Sequence, residues 1–244
     1  MERYLKLGKR DYVFLIIKTV LVAFALDMVF YRSLPGIVPS AAAGFLFFKM
    51  EKKGELEKKR NEFRLQFKEF LLLLNTGQRA GYSIENAMEN SYRDLVNCFG
   101  KKAPVVLLTQ NVLIAQKNTR AVNDVFIQAG ISSEIEDITE FGELYELAYG
   151  RSGNLYRVME KIAETIVDKM DTLNDVYNRL NEKIYELKVM SLMPFLIVGY
   201  ISLTNPGFFD GMYKSTLGFL VMTVCLCMYT LAFVWGRRIV EITF

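Results

Sequence analysis

Two long apolar runs stand near the ends of this chain, and a charged stretch fills the space between them. Residues 12–31 read YVFLIIKTVLVAFALDMVFY, and residues 217–236 read LGFLVMTVCLCMYTLAFVWG. Each matches the roughly 20 residues that a helix needs to cross a bilayer. Hydrophobic residues make up 52% of the 244 and charged residues 23%. That mixture reads as apolar blocks kept apart from charged blocks, not as one soluble core.

Two more segments complete the apolar pattern. SLPGIVPSAAAGFLFF (33–48) is short and holds Pro35 and Pro39, which fit a turn and a first helical turn. VMSLMPFLIVGYISLT (189–204) is a further span, joined to the last by NPGFFDGMYKS (205–215), whose Asn205-Pro206-Gly207 is turn chemistry. Lys and Arg cluster before the first span, after the second, before the third and after the fourth, while the two short connections carry only Arg32 and Lys214. The positive-inside rule then places both termini and the middle of the chain in the cytoplasm. The first apolar run is too long for a signal peptide and lacks a small-residue cleavage site, so it reads as a retained anchor. Lys18 and Asp27 interrupt it. Lys18 can snorkel, and Asp27 near the other end has a proton-relay role as its functional alternative.

The middle is helix-rich. KKGELEKKRNEFRLQFKEFLLLLNTGQRA predicts a long helix with Phe63, Phe67, Phe70, Leu71 and Leu74 on one side. Ser83 is a good N-cap for a second helix. Pro104 can open a third, and a fourth should stop at Gly130. Ser132 or Ser133 should then cap a helix, with Glu136 completing a capping box. A last helix should run from an Asn154 cap into the third span.

The segment 69–88 is echoed at 140–159. Glu69, Phe70, Leu73, Ile84 and Met88 align with Glu140, Phe141, Leu144, Leu155 and Met159, and Ser83 takes the place of Asn154. Each copy reads as helix, glycine corner, polar cap, helix. The structural corners are Gly77, Gly81, Ser83, Gly153 and Asn154. Gly77 and Gly81 have GxxxG spacing, but that motif packs membrane helices only within an apolar span. Among Gln78, Arg79 and Ser83 a helix end followed by a new cap is the better reading.

Chemical signals are sparse. Histidine is absent, which removes the commonest general base and metal ligand. No P-loop and no nucleophile elbow occurs. Cys98, Cys225 and Cys227 form no metal or redox pattern, and the last two read as small apolar packing residues. The net charge of +3, with no basic stripe interleaved with aromatics, gives no case for nucleic acid. Glu136, Glu140 and Glu143 can share one helical face. That face is either ordinary solvated surface or a docking site for a basic partner.

RAGYSIENAM (79–88), GRSGNLYRVMEKIAETI (150–166) and the tail from SLTNPGFFDGMYKSTLGFLV to WGRRIVEITF together resemble the type II secretion system F-domain family. The likeness is to that domain as found in the B-like Tad (tight adherence) pilus assembly proteins. Asn205, Pro206, Thr216, Leu217, Gly218, Arg237, Arg238, Ile239 and Val240 carry the tail pattern. Ser152 stands where the family often has glycine, and residues 95–126 diverge. The resemblance implies a non-enzymatic platform in the cytoplasmic (inner) membrane. It would couple a hexameric secretion ATPase to assembly of pilin subunits, either as a homo-oligomer or beside a second polytopic F-domain protein. No catalytic residue, metal or cofactor is expected.

The expected architecture is an all-α membrane protein with four transmembrane helices. Residues 1–49 and 189–244 form hairpins, and residues 50–188 form a cytoplasmic bundle of two similar helical hairpins. A small membrane transporter using Lys18 and Asp27, and a helical signalling scaffold, are the rival readings. Broken helices without sustained heptads weigh against the scaffold.

Overall fold

The structure is a computed structural model describing residues 8–31, 36–149, 155–205, 207–209, 211, 213 and 215–241. Among these residues every regular element is helical: α1 (Lys9–Phe30), α2 (Ile37–Arg79), α3 (Ile84–Phe99), α4 (Pro104–Lys117), α5 (Val122–Ser133), α6 (Glu136–Tyr149), α7 (Leu155–Thr204) and α8 (Thr216–Glu241). Gly153, Asn154 and Pro35 lie outside the described residues.

The chain divides into two compact units. One contains Glu55–Asp175, and the other contains Gly8–Gly54 with Val176–Phe244. α2, with 43 residues, and α7, with 50, each contribute to both as unbroken helix.

In the first unit, the predicted stripe on α2 is the centre of the core. Phe63, Phe67, Phe70, Leu71 and Leu74 are all buried. Around it lie Met88 and Leu95 of α3, Val105, Leu108 and Val112 of α4, Phe126 of α5, Phe141 of α6, and Met159, Ala163, Ile166 and Met170 of α7. Phe126 and Phe141 meet edge to face, with centroids 5.0 Å apart at 82°. Such contacts add about 0.5–1.5 kcal/mol beyond burial. The aligned pairs share their environments. Phe70 and Phe141 are both in the core, as are Met88 and Met159.

The boundaries around α5 and α6 differ from expectation. α5 does not stop at Gly130 but continues to Ser133, and Glu134 turns the chain with a left-handed φ of 55°. Gly130 serves close packing instead: a Cβ there would sit 2.1 Å from Thr139 Oγ1 and 2.5 Å from the Thr139 backbone nitrogen. Ser132 and Ser133 do not cap α6. Both hydroxyls donate back to the Ala129 carbonyl inside α5, a common alternative for serine in a helix. Pro104 opens α4 as expected.

Among the described residues, three helices are long and apolar enough to cross a membrane, lying within Asp11–Phe30, Arg157–Thr204 and Thr216–Arg237; the second unit takes α7 only from Val176 onward. This composition suits a multi-pass membrane protein. Leu21, Phe24, Leu196, Leu203, Leu217 and Leu231 are strongly exposed, the pattern of side chains that face lipid. Cys225 and Cys227 are exposed too, so they do not fill packing gaps within the chain. The apolar stretch at 37–48 is the first part of α2, with no break between it and the charged residues that follow.

Tyrosines tie this unit together. Tyr31 donates to Thr223 Oγ1 at 2.9 Å, and Tyr213 donates to the Val29 carbonyl at 2.7 Å. Tyr229 donates to the Ser191 carbonyl at 2.9 Å. Ser191 lies within one turn before Pro194, which cannot donate and disturbs the carbonyls of the preceding turn.

Candidate functional site

The glycine corner between α2 and α3 is a Schellman end. The Tyr82 amide donates to the Gly77 carbonyl at 3.1 Å and the Gly81 amide to that of Gln78 at 3.0 Å. This pairing needs a left-handed residue after the last turn, and Gly81 supplies it with φ of 88°. Ser83 then caps α3, its Oγ accepting from the Asn86 amide at 3.3 Å. Gly77 has a separate task. A Cβ there would stand 3.0 Å from Ala87 Cβ, so the glycine lets α3 fold back tightly on α2.

A charged seam runs along another face of the first unit. Arg60, Arg64 and Lys68 are spaced by four residues on α2 and therefore form one stripe. Arg60 pairs with Glu134, and Lys68 pairs with Asp171 of α7. Between them, Arg64 Nε lies 3.2 Å from Asp137 Oδ2, and Lys169 Nζ of α7 lies 3.1 Å from Asp137 Oδ1. Asp137 is only 2% exposed. One buried carboxylate thus holds cations from two helices. Lys169 also binds Glu140 at 2.8 Å. The hydrogen bond to Glu140 raises the Lys169 pKa; burial opposes this, and Asp137 adds to the rise. At the corner end of α2, Arg79 reaches Glu160 at 2.8 Å and Glu164 at 2.7 Å.

These contacts sort the three acids of the proposed docking face. Glu136 and Glu143 are exposed, while Glu140 is half-buried and occupied by Lys169. Asp137 was missed as a special residue. Its signal was its spacing: it stands four residues before Phe141 and eight before Tyr145, on the stripe that faces the core. No metal-binding group of His, Cys, Asp and Glu side chains occurs among the described residues.

Comparison of the chain with protein-family models, with curated proteins and with solved structures finds no match.

Proposed function

We propose that this chain is a polytopic membrane platform of a Tad-type or related type II secretion machine. It links a hexameric cytoplasmic secretion ATPase to pilin assembly. The reading rests on the resemblance carried by residues 79–88, 150–166 and the tail. The observation that best supports it is α7: residues Met159 to Met170 contribute to the helical core, and the same unbroken helix continues into the exposed apolar segment 189–204. A continuous helix is suited to carrying a displacement. In this reading the 37–48 stretch of α2 is the fourth span, with Gly44 lying against Ala23. Both termini and residues 50–188 are cytoplasmic, and the sequence echo of 69–88 at 140–159 marks two similar hairpins.

The test uses the full chain in proteoliposomes with a purified pilus-class secretion ATPase. Stimulated ATP turnover is expected, and Asp175→Pro, at an exposed site in α7, should abolish it while membrane insertion persists. A proline inside a helix removes a hydrogen bond and kinks the axis. Failure of the wild-type chain to bind or stimulate the ATPase overturns the coupling role.

A further inference from the structure

A cleft of about 400 Å³ opens within the second unit, between α1, α2, α7 and α8. Its walls are apolar, formed by residues such as Ala25, Phe47, Phe195 and Phe233. Leu21, Leu46 and Leu192 on its rim are 65%, 48% and 54% exposed. The cleft is therefore open sideways, to whatever surrounds the apolar helices.

One end of the cleft is charged. Glu51 accepts from Lys18 at 2.6 Å and from Arg237 at 2.9 Å, and Lys188 lines the same end. Three cations around one carboxylate leave an excess of positive charge there. From Lys18 the lining continues on α1 to Leu26, eight residues or about 12 Å of helix. That approaches the roughly 15 Å of hydrocarbon in one leaflet.

From these features we infer that the cleft is a binding site for an anionic phospholipid. One acyl chain lies between the helices, and the phosphate sits at the Lys18–Lys188 end, where Arg237 offsets the Glu51 charge from behind. Basic pockets between membrane helices on the cytoplasmic side recognise anionic headgroups in this way, and the volume is that of a small ligand site. The inference rests on the membrane reading and not on the secretion role.

The test is native mass spectrometry of the full-length protein extracted in mild detergent. It is titrated with phosphatidylglycerol and with phosphatidylcholine of the same acyl chains. The first phosphatidylglycerol should bind at least about fivefold tighter than phosphatidylcholine. Lys188→Gln should erase most of that preference and leave phosphatidylcholine binding unchanged. Ala25→Phe should fill the cleft and remove the tight first step for both lipids. Leu21→Trp, at an exposed rim position, is the second filling variant should Ala25→Phe lose its native helix content. Free glycerol phosphate should not compete. Equal affinity for the two lipids, an unchanged preference in Lys188→Gln, unaltered binding in the filled variants, or full competition by glycerol phosphate would each overturn the site. Recovery of the chain as a soluble protein without detergent would overturn the membrane reading as well.

Discussion

Glu51 and Arg237, 186 positions apart in the chain, form an ion pair of 2.9 Å in which the residues are 6% and 8% exposed. Lys18 shares the same carboxylate. A pair this shielded is asymmetric in its energetics. Removing one partner leaves buried charge behind and costs about 3–5 kcal/mol, far more than the intact pair contributes.

Glu51→Gln should therefore lower the thermal midpoint of the detergent-solubilised protein strongly. Burial pushes the Glu51 pKa up, but the Lys18 hydrogen bond and the charges of Lys18, Arg237 and Lys188 together hold it below the ordinary glutamate value. A depressed carboxylate contributes stability above its unfolded pKa and loses it as pH falls through the folded one. The wild type should thus melt at a constant temperature from pH 8 to about 5 with respect to this group, and lose its contribution only below about pH 4.5. A melting series across that range checks both statements.

The buried Asp137 makes a parallel case in the other unit. Asp137→Asn leaves Arg64 and Lys169 without their shared charge, and should cost about 3 kcal/mol. Lys169→Gln should cost less, because that side chain is 40% exposed and solvent screens it. Its raised pKa means that its contribution is complete below about pH 10.5 and fades only as pH rises through a higher value. Denaturation of the full-length variants at pH 7 and in the alkaline range measures each effect.

Glycine substitutions should separate by cause. Gly81→Val meets no neighbour within 4 Å, yet it forces a β-branched residue to φ of 88°; the loss should be at least about 1–2 kcal/mol. Gly130→Ala must push α5 from α6, since backbone of Thr139 blocks the new methyl; about 1–3 kcal/mol is expected. Gly54→Ala has open space inside α2 and should stabilise by about 0.5–1 kcal/mol. Thermal midpoints of the three variants, measured side by side, should fall in opposite directions for Gly54 and the other two.

The acidic face of α6 gives a binding prediction. Glu136→Lys with Glu143→Lys should weaken ATPase capture at low salt and leave the thermal midpoint within about 0.5 kcal/mol of wild type, as for ordinary surface changes. Glu140 is excluded from the pair because reversing it also breaks its bond to Lys169. Unchanged capture would return the face to plain solvation.

Much of the fold was legible because it depends on local periodicity. The stripe Phe63 to Leu74 was visible in the spacing alone, and it became the core. The Gly81–Ser83 corner was visible because a left-handed residue followed by a capping hydroxyl is a local device. Gly130 was misread for the complementary reason. A glycine that ends a helix and a glycine that admits a neighbouring helix look alike in one dimension, and only the approach of Thr139 tells them apart. Asp137 was passed over because a carboxylate among five others carries no mark of burial until Arg64 and Lys169 converge on it.

The sequence by itself determined the helical class, the apolar segments and the starts of α3 and α4, since these follow from residue type and spacing of three or four. Tertiary structure decided which charges are spent internally. Lys18, read as a snorkelling side chain, is held by Glu51, and Glu140, read as solvated surface or a docking acid, is held by Lys169. Both pairings join residues far apart in the chain. Coulomb attraction depends on distance through space and on local dielectric, and neither is written in the order of residues.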